Sequence, residues 1–332
     1  MRSELLTGKS GELNSTDQLS RRKPIVTVDH LRKTYETTLA VDDVSFSISE
    51  GEIFGIIGPN GAGKTTTVEC ISGLRVPDSG SAEVYGLNPK YDRKELRKNL
   101  GVQLQESSLP PRIKVKEVLD MFASFYSDPL DPQELLDTLG IAEKRNATFK
   151  QLSGGQKQRL SIALALIGNP KIVILDELTT GLDPDARRET WALIEHVRDR
   201  GVTVILVTHY MDEAERLCDR VVLINRGRVV AQGTPAALAA QEGSGVFVQF
   251  VPSGPVDDRI LTALPGVTSV EHKGSRIIVA GSGDITSSVI YELLKADVTV
   301  KDIQLKNGSL EDAFVKLIQT DDETKRHEVS QQ

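Results

Sequence analysis

The chain has 332 residues, 39% of them hydrophobic, which is enough for about two domains with a sizeable core. Aromatic residues make up only 5%, and the formal net charge is −7, which argues against nucleic-acid binding spread over the whole surface. The two cysteines, Cys70 and Cys218, stand far apart without metal-like spacing, which excludes a disulfide scaffold or a zinc ribbon and suits a reducing cytosol.

From the N-terminus, residues 1–22 mix charge with Ser, Thr and Gly and read as a mobile tail without the apolar core of a secretory signal. No stretch approaches the ~20 consecutive apolar residues that span a bilayer. The tail ends in Arg21, Arg22 and Lys23, a cluster that fits a solvated boundary better than a lipid contact. From Pro24 to about Gly243, β-branched runs alternate with helical patterns, the signature of a mostly parallel sheet covered by helices. The expected strands are Ile25–His30, Val44–Ile48, Ile53–Ile57, Gly101–Leu104, Ile172–Leu175, Val202–Thr208 and Arg220–Asn225. Residues from about 105 to 165 read as a helical subdomain, its segments broken by Pro110, Pro111, Pro129 and Pro132. After a Gly/Ser junction at Glu242–Val246, the order becomes β-α-β-β-α-β, the split arrangement of a small α+β ferredoxin-like domain over 244–320. An amphipathic helix, Leu310–Ile318, and a charged tail over 321–332 end the chain.

Two segments carry chemistry. Gly58-Pro59-Asn60-Gly61-Ala62-Gly63-Lys64-Thr65 follows an apolar strand and precedes a helical pattern that begins with Thr65 and Thr66. Strand, glycine loop and helix in that order make a phosphate cradle: backbone N–H groups turn inward and the helix start adds positive charge. Lys64 would then meet the β/γ-phosphates and the Thr65 hydroxyl a Mg²⁺ ion. A glycine turn matching by accident is the bland alternative, and its flanks argue against it. The second segment, Ile172–Asp176 with Glu177, is an apolar strand ending in two carboxylates, costly to bury unless positive charge meets them. After a phosphate loop, Asp176 is placed to hold the hydration shell of Mg²⁺ and Glu177 to polarise an attacking water.

Leu152-Ser153-Gly154-Gly155-Gln156, running on into KQRLSIALAL, resembles the signature motif of ATP-binding cassette (ABC) ATPases. Taken alone it reads as a Ser cap before a helix. The resemblance covers residues 23–243 and implies a P-loop NTPase cassette: a parallel-sheet core, an antiparallel β edge and a helical subdomain. It also implies roles for single residues. Tyr35 would stack on adenine beside Val41, Gln105 would touch Mg²⁺ or water at the join to the helical subdomain, Asp183 would form the D-loop, and His209 would contact the γ-phosphate. Leu178 stands where many cassettes carry proline, a position that shapes backbone and does no chemistry.

In this family, Ser153, Gly154, Gly155 and Gln156 complete the nucleotide site of a second cassette. With one cassette in the chain, the resemblance implies a homodimer closing on two ATP–Mg²⁺ molecules. Segments such as THYMDEAERLCDRV, LTTGLDP and SLEDAFVKL are similar to motors of drug, antibiotic and polysaccharide efflux. The expectation is therefore an ATPase that drives export through a separate permease, cytoplasmic and attached to the inner face of the membrane. No nucleic-acid partner is expected. The alternatives are an importer motor and a non-transport ABC ATPase acting on ribosome or DNA.

Overall fold

The computed structural model describes residues 23–103, 109–241, 246–281, 284–306 and 308–318. Gln105, both tails and the junction at 242–245 therefore lie outside the described residues. The described residues form two compact units: those up to Phe54 with Thr65–Leu206, and Gly55–Lys64 with those from Val207 onward.

In the first unit, β1 (Pro24–Tyr35) and β2 (Thr38–Ser49) form an antiparallel hairpin with Tyr35 opposite Thr38. Val26, Val28, Val44 and Ile48 turn inward while Thr27 and Asp29 face out, the period-two pattern of a half-buried sheet. After β3 (Ile53–Ile57), β4 (Ser79–Val84) pairs with the free edge of β1, giving the order β2-β1-β4. β5 (Leu100–Gln103) runs parallel to β6 (Ile172–Asp176), with Leu100 opposite Ile172 and Gln103 opposite Leu175. All five residues of β6 are buried, as its unbroken apolar run requires of a strand covered on both faces. The next strand, β7 (Thr203–Thr208), begins where the Thr203 N–H donates to the Lys171 carbonyl at 2.9 Å. The Val204 N–H then donates to the Glu52 carbonyl at 3.0 Å, at the head of β3.

The helical part of this unit is built from Val115–Ala123, Pro132–Thr138 and Gly154–Leu166. Val115, Val118 and Leu119 share one buried face of the first of these, at the i, i+3, i+4 spacing of an amphipathic helix. Asp131 caps the second, accepting from the N–H groups of Gln133 (2.6 Å) and Glu134 (3.1 Å), with Pro132 at the position where its missing donor costs nothing.

In the second unit, β8 (Arg220–Asn225) and β9 (Arg228–Gly233) form an antiparallel hairpin beside the end of β3. Helix Met211–Leu217 leads into it. A four-stranded antiparallel sheet follows, made of β10 (Val246–Pro252), β11 (Val267–Lys273), β12 (Arg276–Gly281) and β13 (Val300–Lys306). Its order is β11-β12-β10-β13, with helix Asp258–Thr262 between β10 and β11 and helix Ile285–Lys295 between β12 and β13. Val248, Phe250, Ile277 and Val279 pack with Leu261, Val289 and Leu293 into one core. A helix over 310–318 ends the described chain, its Leu310 N–H donating to the Glu215 carboxylate.

Several elements depart from expectation. β1 and β2 are 12 residues each and reach past the apolar runs that announced them. The strands β4 and β9, and the short helices Arg93–Asn99 and Pro235–Gln241, were not anticipated.

Candidate active site

The loop Gly58–Gly63 leaves the buried strand β3 and enters helix Lys64–Ile71. A Cβ on Gly58 would stand 2.1 Å from the Ile224 carbonyl oxygen, so only glycine lets the chain leave the sheet there. Gly61 and Gly63 adopt φ of +80° and +100°, which turns the loop back over the helix start. The Ala62 N–H donates to the Pro59 carbonyl at 3.2 Å, and the Gly227 N–H donates to the Ala62 carbonyl at 2.8 Å, fixing the loop to the β8–β9 turn. Lys64 is 5% exposed, its ammonium donating to the carbonyls of Gly58 (2.9 Å) and Pro59 (3.0 Å). A positive charge is thus held inside the curl of the loop. Asn60 and Gly61 are exposed at its crest; beyond Lys64, Thr65 is exposed and Thr66 half-buried.

In the first unit, Asp176 ends β6 at 1% exposure, its N–H donating to the Gln103 side-chain oxygen at 3.0 Å. Glu177 follows with φ of +47°, a left-handed conformation that is unfavourable for a residue with a side chain and turns the chain sharply at the strand end. Leu178 is fully buried, so the departure at that position is a packing side chain. Tyr35 is half-buried at the end of β1, and Val41 is fully buried in β2 opposite Lys33.

Ser153 caps helix Gly154–Leu166 in a reciprocal box: its oxygen accepts from the Gln156 N–H at 3.3 Å, and the Gln156 side chain accepts from the Ser153 N–H at 3.0 Å. Asp183 caps helix Pro184–Asp199, accepting from the N–H groups of Asp185 (3.1 Å) and Ala186 (2.9 Å). Both caps open onto one shallow cleft of about 320 Å³, lined also by Gly154, Gly155, Gln156 and Gly181. The structure thereby joins the signature segment and Asp183, which lie apart in sequence. In the second unit, His209 is half-buried with its ring 4.1 Å from that of Tyr210, whose N–H donates to the Thr208 hydroxyl at 3.0 Å.

Two residues that sequence reasoning passed over contact the expected site residues. Gln103 is a buried polar side chain that anchors the backbone of Asp176, and Arg75 lies over the ring of Tyr35. For Gln103 the available signal was a polar residue inside an otherwise apolar strand. Arg75 offered none.

Comparison with known proteins assigns this arrangement to a class. Residues 41–180 match the ABC transporter family. A Nod factor export ATP-binding protein I of Paraburkholderia xenovorans is 36% identical over 87% of this chain and 95% of its own length. A daunorubicin/doxorubicin resistance ATP-binding protein of Streptomyces peucetius is 34% identical over 86% of this chain and 90% of its own. Among solved structures, a Clostridium perfringens subunit of the ABC transporter complex cbiONQ superposes with a TM-score of 0.60 at 32% identity, covering 66% of this chain and 92% of that one. A cassette solved as a post-hydrolysis dimer bound to ADP and Pi gives a TM-score of 0.58 at 28% identity, covering 63% and 98%. The chain belongs to the ABC family, and its fold is the P-loop NTPase cassette with mixed α/β sheets and helices. Within that family it is an ATP-binding subunit of an ABC transporter, and an ATPase.

Proposed function

We propose that the chain is the motor of an exporter: it binds ATP–Mg²⁺ at the interface of a homodimer and drives efflux through a separate membrane permease. The observation that carries the nucleotide part is the loop at Gly58, which has no room for a Cβ and curls around the Lys64 ammonium. Export is supported by relatives named for export and drug resistance that match over most of their length, the region beyond residue 243 included. Among the described residues no helix is long and apolar enough to cross a membrane; in this reading the translocation path belongs to another chain. The motor then works at the cytoplasmic face of the membrane, attached to its permease.

In this reading the backbone N–H groups from Gly58 to Thr66 cradle the phosphates and Lys64 neutralises them. The donors available to Mg²⁺ are oxygens, the Thr65 hydroxyl and the Asp176 carboxylate, with Gln105 completing the set. A hydroxyl and a carboxylate are hard oxygen donors and suit a cation that keeps water and phosphate ligands, as Mg²⁺ does. The ion would supply charge neutralisation on the β- and γ-phosphates. Glu177 orients and polarises the attacking water, and His209 holds the γ-phosphate. Tyr35 and Val41 receive the adenine. Ser153, Gly154, Gly155, Gln156 and Asp183 serve the nucleotide of the other protomer, which accounts for their sharing one open cleft. Residues 244–320 act as a ferredoxin-like accessory domain that stabilises the dimer, and the surface near Gln105 and the segment 107–122 receives a helix of the permease.

The test is affinity capture of the ATP-loaded Glu177→Gln protein from detergent-solubilised membranes of its source cell. Co-purification of a multi-spanning hydrophobic protein is the expected result. Recovery of ribosomes, DNA or soluble proteins alone would overturn the transport assignment and leave the ATPase chemistry standing.

A further inference from the structure

Tyr35 ends β1 among charged side chains. The Arg75 guanidinium lies over its ring, 5.0 Å from the centroid, and the Lys33 ammonium stands 5.9 Å away. Arg75 is fixed by one partner in two ways. Its backbone N–H donates to the Glu69 carbonyl at 2.9 Å, and its Nε and Nη2 both reach the Glu69 carboxylate at 2.9 Å. Glu69 belongs to helix Lys64–Ile71, the same helix that opens at the phosphate loop.

The segment after Arg75 is stitched to the same strand. The Asp78 carboxylate accepts from Lys33 Nζ at 2.6 Å and from the Thr34 N–H at 2.7 Å, while the Asp78 N–H donates to the Arg32 carbonyl at 2.9 Å. Lys33 and the Thr34 N–H hold the Asp78 carboxyl below its ordinary pKa, so the clamp stays ionised at neutral pH. The strand leading into Tyr35 is thereby held by Asp78 at Arg32, Lys33 and Thr34, and the Tyr35 ring is covered by Arg75.

We propose that Arg75 is a positioning residue for the nucleobase: braced by Glu69, its guanidinium backs the Tyr35 ring and fixes the plane on which adenine stacks. The inference rests on the reading of Tyr35 as the adenine platform. A half-exposed tyrosine at a strand end is free to change rotamer, and a base that stacks on it must first select one orientation. A planar cation seated over the ring makes that selection in advance, and the base stacks on a ring already fixed in orientation. Because Glu69 sits on helix Lys64–Ile71, the platform for the base is braced from that helix. Lysine in place of Arg75 would keep the charge and lose both the planar stack and the paired contact to Glu69.

The test measures ATP and inorganic tripolyphosphate binding to the full chain, together with KM and kcat. Arg75→Ala should raise the Kd and KM for ATP about three- to tenfold, the range of a partly exposed cation–π contact, while kcat and tripolyphosphate affinity hold. Arg75→Lys should recover only part of the loss. In a Tyr35→Ala background, which itself weakens ATP and spares tripolyphosphate, adding Arg75→Ala should cost nothing more. If Tyr35→Ala weakens ATP and Arg75→Ala does not, Arg75 has no positioning role. If Arg75→Ala weakens ATP and tripolyphosphate alike, its effect is on fold or charge, and the proposal fails. If Tyr35→Ala binds ATP as the parent does, the platform reading itself is wrong.

Discussion

The phosphate loop and the signature cleft contain similar residue types, glycines beside a helix start, yet they are built in opposite ways. The loop closes on itself: Gly58 is pinned against the Ile224 carbonyl and Lys64 points into the curl. At the cleft, Ser153 and Asp183 cap their own helix ends, and Gly154, Gly155 and Gly181 line the space beside them. One region is an enclosed cradle, and in the proposed reading the other is half of an interface between two protomers. Substitutions in the loop should therefore change nucleotide binding within a single protomer, and substitutions in the cleft should change hydrolysis only when two protomers meet.

The largest effects should come from the phosphate loop and from the strand end at Asp176 and Glu177. Lys64→Ala should abolish nucleotide binding or turnover. Glu177→Gln should retain ATP binding and lose about 10²–10⁴ of the hydrolysis rate, as read in a single-turnover assay. Rapid turnover by that variant would remove Glu177 from its role. Next in size, Gly58→Ala must push the backbone away from β8, at a cost of about 1–3 kcal/mol in overpacking. It should lower Tm and nucleotide affinity together, whereas a normal Tm with normal affinity would show that the loop has slack.

Ser153→Ala sharpens the contrast with a smaller cost. The lost cap should remove about 1 kcal/mol of stability, and hydrolysis should fall while ATP affinity in dilute monomer is unchanged. Weaker monomer affinity would place the signature in its own protomer's site and erase the distinction drawn here.

The smallest expected effect lies far from both regions. His30 hydrogen-bonds Asp43 at 2.5 Å, and this contact, with the charges of Asp43 and Asp29, raises the His30 pKa above 6.5. The folded-state pKa is raised, so the contribution is complete below the unfolded value and is lost as pH rises through the folded one. An NMR titration should find His30 titrating above 6.5 and returning toward it in Asp43→Asn, and an unshifted midpoint in the parent would mean the pair does not form in solution.

What the sequence made legible follows the same contrast. The phosphate loop, the strand ending in Asp176 and Glu177, and the cap at Ser153 are local: a few adjacent residues dictate their geometry, so their order along the chain is enough to find them, whereas Asp183 is found only through the family resemblance and its cap only in the structure. Gln103 is different, because its meaning depends on Asp176, 73 residues away, and nothing around it in sequence names that partner. Arg75 likewise becomes informative only when β1 brings Tyr35 beneath it. The strands β4 and β9 escaped for a related reason. They carry few inward side chains, so the alternation that marks a half-buried strand is nearly absent in Ser79–Val84.

The central claim is that two copies of this chain close on ATP, each completing the other's site. Sedimentation of the Glu177→Gln protein with and without ATP–Mg²⁺ tests it most directly. The account predicts a nucleotide-dependent dimer that Ser153→Arg abolishes while each monomer still binds ATP. A protein that binds ATP and remains monomeric, or that dimerises equally well with the Ser153→Arg change, would contradict it.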